Sequence, residues 1–365
     1  MPDGSLPRWG DDVSSSAFKV ADRMEPAYHA YRDPLLLALL PVKPGWLGVL
    51  YGRDPQAKTE PAKLASAVFK TAGHAILRSE GPAGLTAALT YGPFGGFHGH
   101  FDKLSFVFYG LGQELGVDPG RAKSQAYRLP IHTKWYRATL GHNAVLVDGQ
   151  SQEGAEGKLE FFAASARFAA VKASCETAYK GVRHARLLAL APEYLLVWDE
   201  LKAADKKERR FTWLYHGQSK RCACEAAAEP GKLKDVDGSE YLQHVNIGAT
   251  DAAVRLVFEG EKVTTCVHLD AAQGTRVATG DGPWTSIEDR VPMALVERKA
   301  GRFLAALEPV AAGQAPTVKG VRIIEGAEGG LRLVVQREGS TDEWDVGAGG
   351  KVTLTRDGQA FTLSE

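Results

Sequence analysis

Cysteine is scarce in this chain, with four in 365 residues: Cys175, Cys222, Cys224 and Cys266. None forms a C-x-x-C pair, which excludes a cysteine-built zinc ribbon. The C-A-C at Cys222 to Cys224 lies in a polar, Ala/Glu-rich stretch and reads as surface loop. An excess of charge of either sign is also missing, since 44 Lys and Arg balance 44 Asp and Glu. That argues against nucleic acid or an anionic membrane as partner, while leaving room for a local basic groove. No run reaches the roughly 18 apolar residues of a membrane span. The opening M-P-D-G-S-L-P-R-W-G-D-D lacks the basic-then-apolar layout of a signal peptide, so the expectation is a cytoplasmic protein or a true beginning further upstream.

What is present is ordinary globular composition, 44% hydrophobic and 24% charged, in a chain long enough for about two or three domains. Two regimes are visible. Residues 1–70 read as a helical segment. Ser14 to Ser16 offer N-caps for a helix through Met24 that Pro26 interrupts. Asp33-Pro34 starts an apolar turn, Leu35 to Leu40, which Pro41 stops. A third helix is predicted from Pro61 through Phe69. From His74 the hydrophobic period changes to two, in segments such as HAILRS, GLTAALTY, KLSFVFYG, NAVLVDG, YLLVWDEL and LRLVVQRE, separated by Gly, Asp and Pro clusters. The fold class expected is mainly β: a large antiparallel β-sandwich over residues 71–365, preceded by the short helical segment. The charged stretch from Cys222 to Glu240 reads as a long connection.

The residues that can carry chemistry concentrate between Tyr91 and Gln152. In YGPFGGFHGHFDKLSF, His98 and His100 are two apart, so extended backbone would point both to one face. Glycines at 92, 95, 96 and 99 permit close approach of a ligand. Asp118 precedes a Pro-Gly turn, and His142-Asn143 opens L-G-H-N-A-V-L-V-D-G-Q-S-Q. Neutral imidazole with carboxylate suits zinc, but spacings of this kind are no self-sufficient metal signature. The bland readings are edge histidines, a turn-forming Asp118, a structural or supporting Asp102 beside Lys103, and core aromatics at Tyr127, Trp135 and Tyr136. His29, His74, His132, His184, His216, His244 and His268 form no comparable cluster and read as structural.

H-G-H-F-D-K-L-S-F, then V-D-P-G, a Tyr, a W-Y and H-N-A-V-L-V-D-G-Q-S-Q resemble the heparinase II/III-like C-terminal domain, whose family includes alginate, heparin and heparan sulfate lyases. The upstream F-K-T-A-G-H-A-I-L-R resembles that family's entry into its sheet domain. The strong match covers Phe69 to Gln152. The resemblance implies an α/α toroid followed by a multilayer antiparallel sandwich with the cleft between them. It implies a catalytic or substrate-contacting His98 and one zinc, structural, on His100, Asp118 and His142. Tyr127 is the better match to the family's catalytic tyrosine, with Tyr136 as the alternative; Arg121, Tyr136, Arg137 and Asn143 make up the expected substrate-binding set. The implied substrate is an acidic polysaccharide containing uronate, and the implied location is periplasmic or secreted.

The helical length before the sheets is short for such a toroid, and P-D-G-S-L-P-R-W-G-D-D resembles a segment late in it. The chain is therefore expected to be a fragment, a truncated product or a degenerate relative that acts fully only with a fuller toroid. A non-catalytic carbohydrate-binding sandwich with a structural zinc is the competing expectation. A glycoside hydrolase would need two carboxylates across a cleft, and no such pair stands out.

Overall fold

The widest sheet of the fold is an eight-stranded antiparallel one at its centre. The computed structural model describes residues 1–2, 5–12, 24–57, 64–123, 128–205, 207–325, 330–347 and 351–363. The strands of this central sheet run, side by side, Arg221–Ala223, Val254–Glu259, Val263–Leu269, Arg302–Ala311, Leu195–Ala203, Val182–Leu190, Ala169–Tyr179 and Lys158–Ala164. Both of its faces are covered. Leu188, Leu190, Leu195 and Val197 point into the largest apolar core, while Leu187, Ala189, Leu196 and Trp198 point into a second core on the other side. Each fully buried side chain of this size contributes roughly 1.5–3 kcal/mol.

Three further sheets pack around it. A five-stranded meander, Ala67–Phe69, His74–Arg78, Thr86–Thr90, Phe106–Gly110 and Gln113–Gly116, shares the largest core. So does a six-stranded sheet with Phe211–His216 and Val145–Val147 at one edge. A C-terminal five-stranded sheet, Val318–Glu325 to Gln359–Leu363, closes the second core. The fold is mainly β and antiparallel, as the alternation indicated. The C-terminal sheet is also tied by polar contacts: Arg356 donates to both oxygens of Asp342 at 2.8 and 2.6 Å, and the Tyr194 hydroxyl donates to Asp342 at 2.7 Å.

The helical expectations fare unevenly. Helices α1 (Glu25–Tyr31), α2 (Pro34–Leu39) and α3 (Trp46–Leu50) are short. Asp33 caps α2, its side chain accepting from the Leu35 N–H at 2.8 Å. Pro26 sits in the first turn of α1 and does not break it, since a missing N–H costs nothing there. The helix expected over Ser14 to Met24 falls largely outside the described residues. The helix expected to run to Phe69 is corrected: Ala67–Phe69 is an edge strand pairing with His74–Ile76, because the turn at 70–73 folds it back onto the sheet. Among the described residues, no helix is long and apolar enough to cross a membrane. The C-A-C segment is not a free loop either; Arg221–Ala223 is a strand, and Cys222 and Cys224 pack against the main core.

One polar cluster stands out inside the main core. Arg186 and Asp199 are cross-strand partners in the central sheet. Both are fully buried and paired through Nε at 2.7 Å and Nη2 at 2.9 Å, while His184 Nε2 donates to the same carboxylate at 2.6 Å. Burial holds the His184 imidazole below its ordinary value of 6.5, against the opposing pull of Asp199. A histidine with a depressed pKa leaves the unfolded chain the better proton binder just below pH 6.5, so stability falls as the pH drops through that value. The slope per group reaches at most about 1.4 kcal/mol per pH unit. Urea denaturation at about pH 7.5 and about pH 5.5 should show this loss, and His184→Gln should remove part of it.

Candidate functional site

The glycine-rich run from Gly92 to Gly99 does not continue as a strand. Gly96–His98 is a single 3₁₀ turn closed by the Gly99 N–H on the Gly96 carbonyl at 3.1 Å. The turn overturns the expectation that His98 and His100 share a face. The His98 side chain is 75% exposed and the His100 side chain is fully buried. After the turn, the loop is clamped at nearly every residue. The Thr139 hydroxyl donates to the Phe101 carbonyl, and Gln152 bonds both the N–H and the C=O of Lys103 at 2.7 and 2.9 Å. Arg186 donates to the Leu104 carbonyl from beneath. Leu104 is itself held at φ 64°, a left-handed conformation that a non-glycine residue adopts only when its surroundings impose it.

Under this loop two of the three expected metal ligands, Asp118 and His142, meet, and the third, His100, lies nearby. Asp118, just past the strand Gln113–Gly116, and His142, just past a 3₁₀ turn at Thr139–Gly141, are buried and 2.8 Å apart from Oδ2 to Nδ1. The ring centroid of His100 lies 5.3 Å from that of His142. Asp102, read from sequence as structural or supporting, takes the place expected of His100: Asp102, Asp118 and His142 each offer a ligand atom within 4.8 Å of the others, and among the described residues His100 is not in that group. Asp102 also accepts from Lys103 Nζ at 3.0 Å.

The hydrogen bonds dictate protonation. His142 Nε2 faces the Tyr136 carbonyl at 3.0 Å, an acceptor only, so Nε2 carries a hydrogen. Nδ1 then confronts the Asp118 carboxylate and needs either a proton or a cation between them. Burial opposes charge on both partners, yet Asp118 raises the His142 pKa and His142 lowers that of Asp118. On His100, Nε2 faces a carboxylate at 3.1 Å and Nδ1 is buried with no hydrogen-bond partner. Two imidazoles, each with one nitrogen fixed on a protein acceptor and the other turned inward, match the way metal-binding histidines are held. The donor set therefore fits a zinc-sized cation.

The carboxylate facing His100 comes from the far end of the chain. Residues 5–12 form a strap across the outer face of the first sheet, where Trp9 stacks on His74 at 4.2 Å. Arg8, buried, donates to the Asp118 carbonyl at 2.9 Å and to both oxygens of Glu114 at 2.7 Å. Asp11 accepts from His98 Nδ1 on Oδ2 at 2.9 Å and from His100 Nε2 on Oδ1 at 3.1 Å, with His132 Nε2 3.5 Å from Oδ1. Burial would raise the Asp11 pKa, but the hydrogen bonds from His100 and His98 outweigh it and hold it down to about 2. Gly120 (φ 58°) explains the glycine of D-P-G: a Cβ there would lie 2.1 Å from the Asp12 carbonyl, so only glycine lets the strap pass. Neither Asp11 nor His132 was singled out in the sequence; His132 belongs to the cluster and is corrected from a merely structural reading.

The remaining expected residues are placed as follows. Asn143 is a fully buried clamp, donating to the Phe106 and Val117 carbonyls and accepting from the His216 N–H at 2.7 Å, which leaves its amide nothing for a substrate. Tyr136 is completely buried in an apolar cluster with Trp135 and Leu214, and burial pushes its hydroxyl pKa up. Both are corrections to the substrate-binding set, because motif residues that looked reactive are holding the site's walls. Arg137 donates to the Gly99 and Gly96 carbonyls at 3.0 and 3.3 Å, and Arg121 Nε to the Asp11 carbonyl at 3.2 Å. Both arginines border the His98 turn. Tyr127 lies outside the described residues.

Comparison with known proteins gives a consistent picture. The family described as "Heparinase II/III-like, C-terminal" matches residues 61–287. An alginate lyase of Stenotrophomonas maltophilia (strain K279a) is 27% identical over 328 residues, covering 80% of this chain and 44% of its own. Among solved structures, a heparinase III gene product superposes with a TM-score of 0.70 at 16% identity, over 95% of this chain and 50% of its own. The heparan sulfate lyase HepC from Pedobacter heparinus does so with a TM-score of 0.64 at 16% identity, over 100% of this chain and 50% of its own. At such identity the structural matches speak for the fold. The chain spans about half the length of these relatives.

Proposed function

The chain belongs to the heparinase II/III-like C-terminal family, and on that premise we propose that it is the sheet portion of a polysaccharide lyase. The reaction is β-elimination in a uronate-containing glycan. Alginate is the leading substrate, since an alginate lyase is the relative aligned along most of the chain; heparin and heparan sulfate are the alternatives. The observation that carries this reading is the exposed His98, anchored by Asp11 and set against a buried His/Asp cluster. Full activity calls for a helical toroid facing the sheets, and export to the periplasm or beyond is part of the same proposal.

The chemistry asks for three things. A base must take the C5 proton, the C5–H electrons form the C4–C5 double bond, and the C4–O bond breaks as its oxygen takes up a proton. Because Asp11 fixes the hydrogen of His98 on Nδ1, the lone pair sits on Nε2 of an exposed ring, suited to accept the C5 proton. The developing charge spreads into the uronate carboxylate and is stabilised by nearby cations. Arg121 and Arg137 border the turn and are the local candidates. Tyr127 remains the proposed acid to the leaving oxygen. A zinc ion held by His100, Asp118 and His142 would supply a fixed positive charge that crosslinks the site's loops.

Incubating the chain with alginate, heparin and heparan sulfate while following ultraviolet absorbance tests the reaction. Absorbance from unsaturated product is expected. Binding without absorbance would favour the carbohydrate-binding sandwich, and reducing ends without unsaturation would mean hydrolysis. For the cation, elemental analysis is expected to find about one zinc per chain, lost in His142→Ala. A folded wild-type chain without metal after zinc supplementation would refute that part.

A further inference from the structure

We propose that Asp11 is the positioning residue that sets both reactive imidazoles at once, one carboxylate oxygen fixing the tautomer of His98 and the other that of His100. The inference rests on the lyase reading for its purpose but not for its test. A carboxylate can only accept, so His98 must carry its hydrogen on Nδ1 and His100 on Nε2. The two rings are thereby given opposite tautomers by one group. On His98 the free lone pair moves to Nε2, the outer nitrogen of a ring that is 75% exposed. On His100 it moves to Nδ1, which is buried and has no hydrogen-bond partner. One nitrogen is left for a substrate proton and the other for a cation.

The bridge is built rather than incidental. The Asp11 N–H also donates to the His98 carbonyl at 3.1 Å, so backbone and side chain grip the same residue. The preceding Gly10 has φ 67°, and a Cβ there would stand 2.7 Å from that carbonyl, so the close approach depends on glycine. Further along the strap, the Asp12 carbonyl accepts from the Arg121 N–H at 3.0 Å. A carboxylate needed only to fasten the strap would not have to place each oxygen on a different ring.

The test uses the full chain labelled with nitrogen-15 in histidine, metal-free, at about pH 8.5 so that exposed imidazoles are neutral. Nitrogen shifts distinguish the tautomers, and His98→Gln and His100→Gln assign the signals. Wild type should show His98 as the Nδ1–H form and His100 as the Nε2–H form. In Asp11→Asn the opposite tautomer of each should rise to roughly half the population, and zinc affinity measured by chelator competition should fall about 10–100-fold. Gly10→Ala, which keeps the carboxylate but displaces it, should shift both tautomers in the same direction and covers the case in which Asp11→Asn does not fold. Unchanged tautomers in a folded Asp11→Asn chain overturn the proposal. A wild-type chain that forms no unsaturated product even with a relative's toroid supplied, while its tautomers follow Asp11, sinks the lyase reading alone.

Discussion

His98→Ala is expected to lower the rate of unsaturated-product formation by about 10²–10⁴-fold, the range that a positioned proton acceptor contributes. The fold should survive, because the side chain is 75% exposed and leaves no cavity when removed. The loss should appear in kcat more than in KM, since the ring is asked to act on the C5 proton in the transition state rather than to hold the polymer. Initial rates over a range of alginate concentrations, alongside circular dichroism of the variant, separate this outcome from a folding defect. Retained activity in His98→Ala would sink the assignment of His98 as base and move attention to a tyrosine.

The second large effect concerns stability. Asp199→Ala should destabilise the chain by about 3–5 kcal/mol, the usual cost of leaving one partner of a buried ion pair uncompensated. Arg186 would lose both hydrogen bonds to Asp199 while still fully buried. The damage should reach the site, because Arg186 Nη1 also donates to the carbonyls of Leu104 and Asn143, close to Asp102 and His142. Urea denaturation measures the stability, and zinc retention measures the second consequence. The double variant Arg186→Met with Asp199→Leu should recover much of the stability, since apolar replacement of a buried pair is often neutral or better. It should not restore the hold on the two carbonyls. A single-variant loss below about 1 kcal/mol would mean that the pair contributes only as much as a surface one.

Much of the sheet architecture was legible because burying one face of a strand forces alternation. His74–Arg78, Phe106–Gly110 and Leu195–Ala203 all stand where the period-two segments place them. The strand Ala169–Tyr179 escaped notice although Lys172, Ser174 and Glu176 alternate with Val171, Ala173 and Cys175, because its alanines carry little strand preference. Ala67–Phe69 deceived in the opposite way, since helix-like spacing yielded to pairing with the neighbouring strand. In the site, His100, Asp118 and His142 could be read as metal-type side chains, whereas the grouping of Asp102 with Asp118 and His142 could not be deduced from spacing. His98 was placed on the wrong face because glycines permit a turn that extended-chain parity does not foresee. Asp11 was invisible as a partner because only the folded topology brings His98 and His100, 87 and 89 positions away, to one carboxylate, and His132 meets it in the same way.

On the proposed reading, that separation gives the protein two distinct ways of losing its site. The sheets can form and persist through their own cores, whereas the reactive arrangement exists only while a strap of eight or so residues stays seated, held by Trp9 against His74, Arg8 against Glu114 and a handful of backbone bonds. Lifting the strap would leave every strand paired and every ligand present, with both imidazoles free to exchange tautomers. On the proposed reading the competent molecule is a subset of the folded one, and residues 5–12 govern its population.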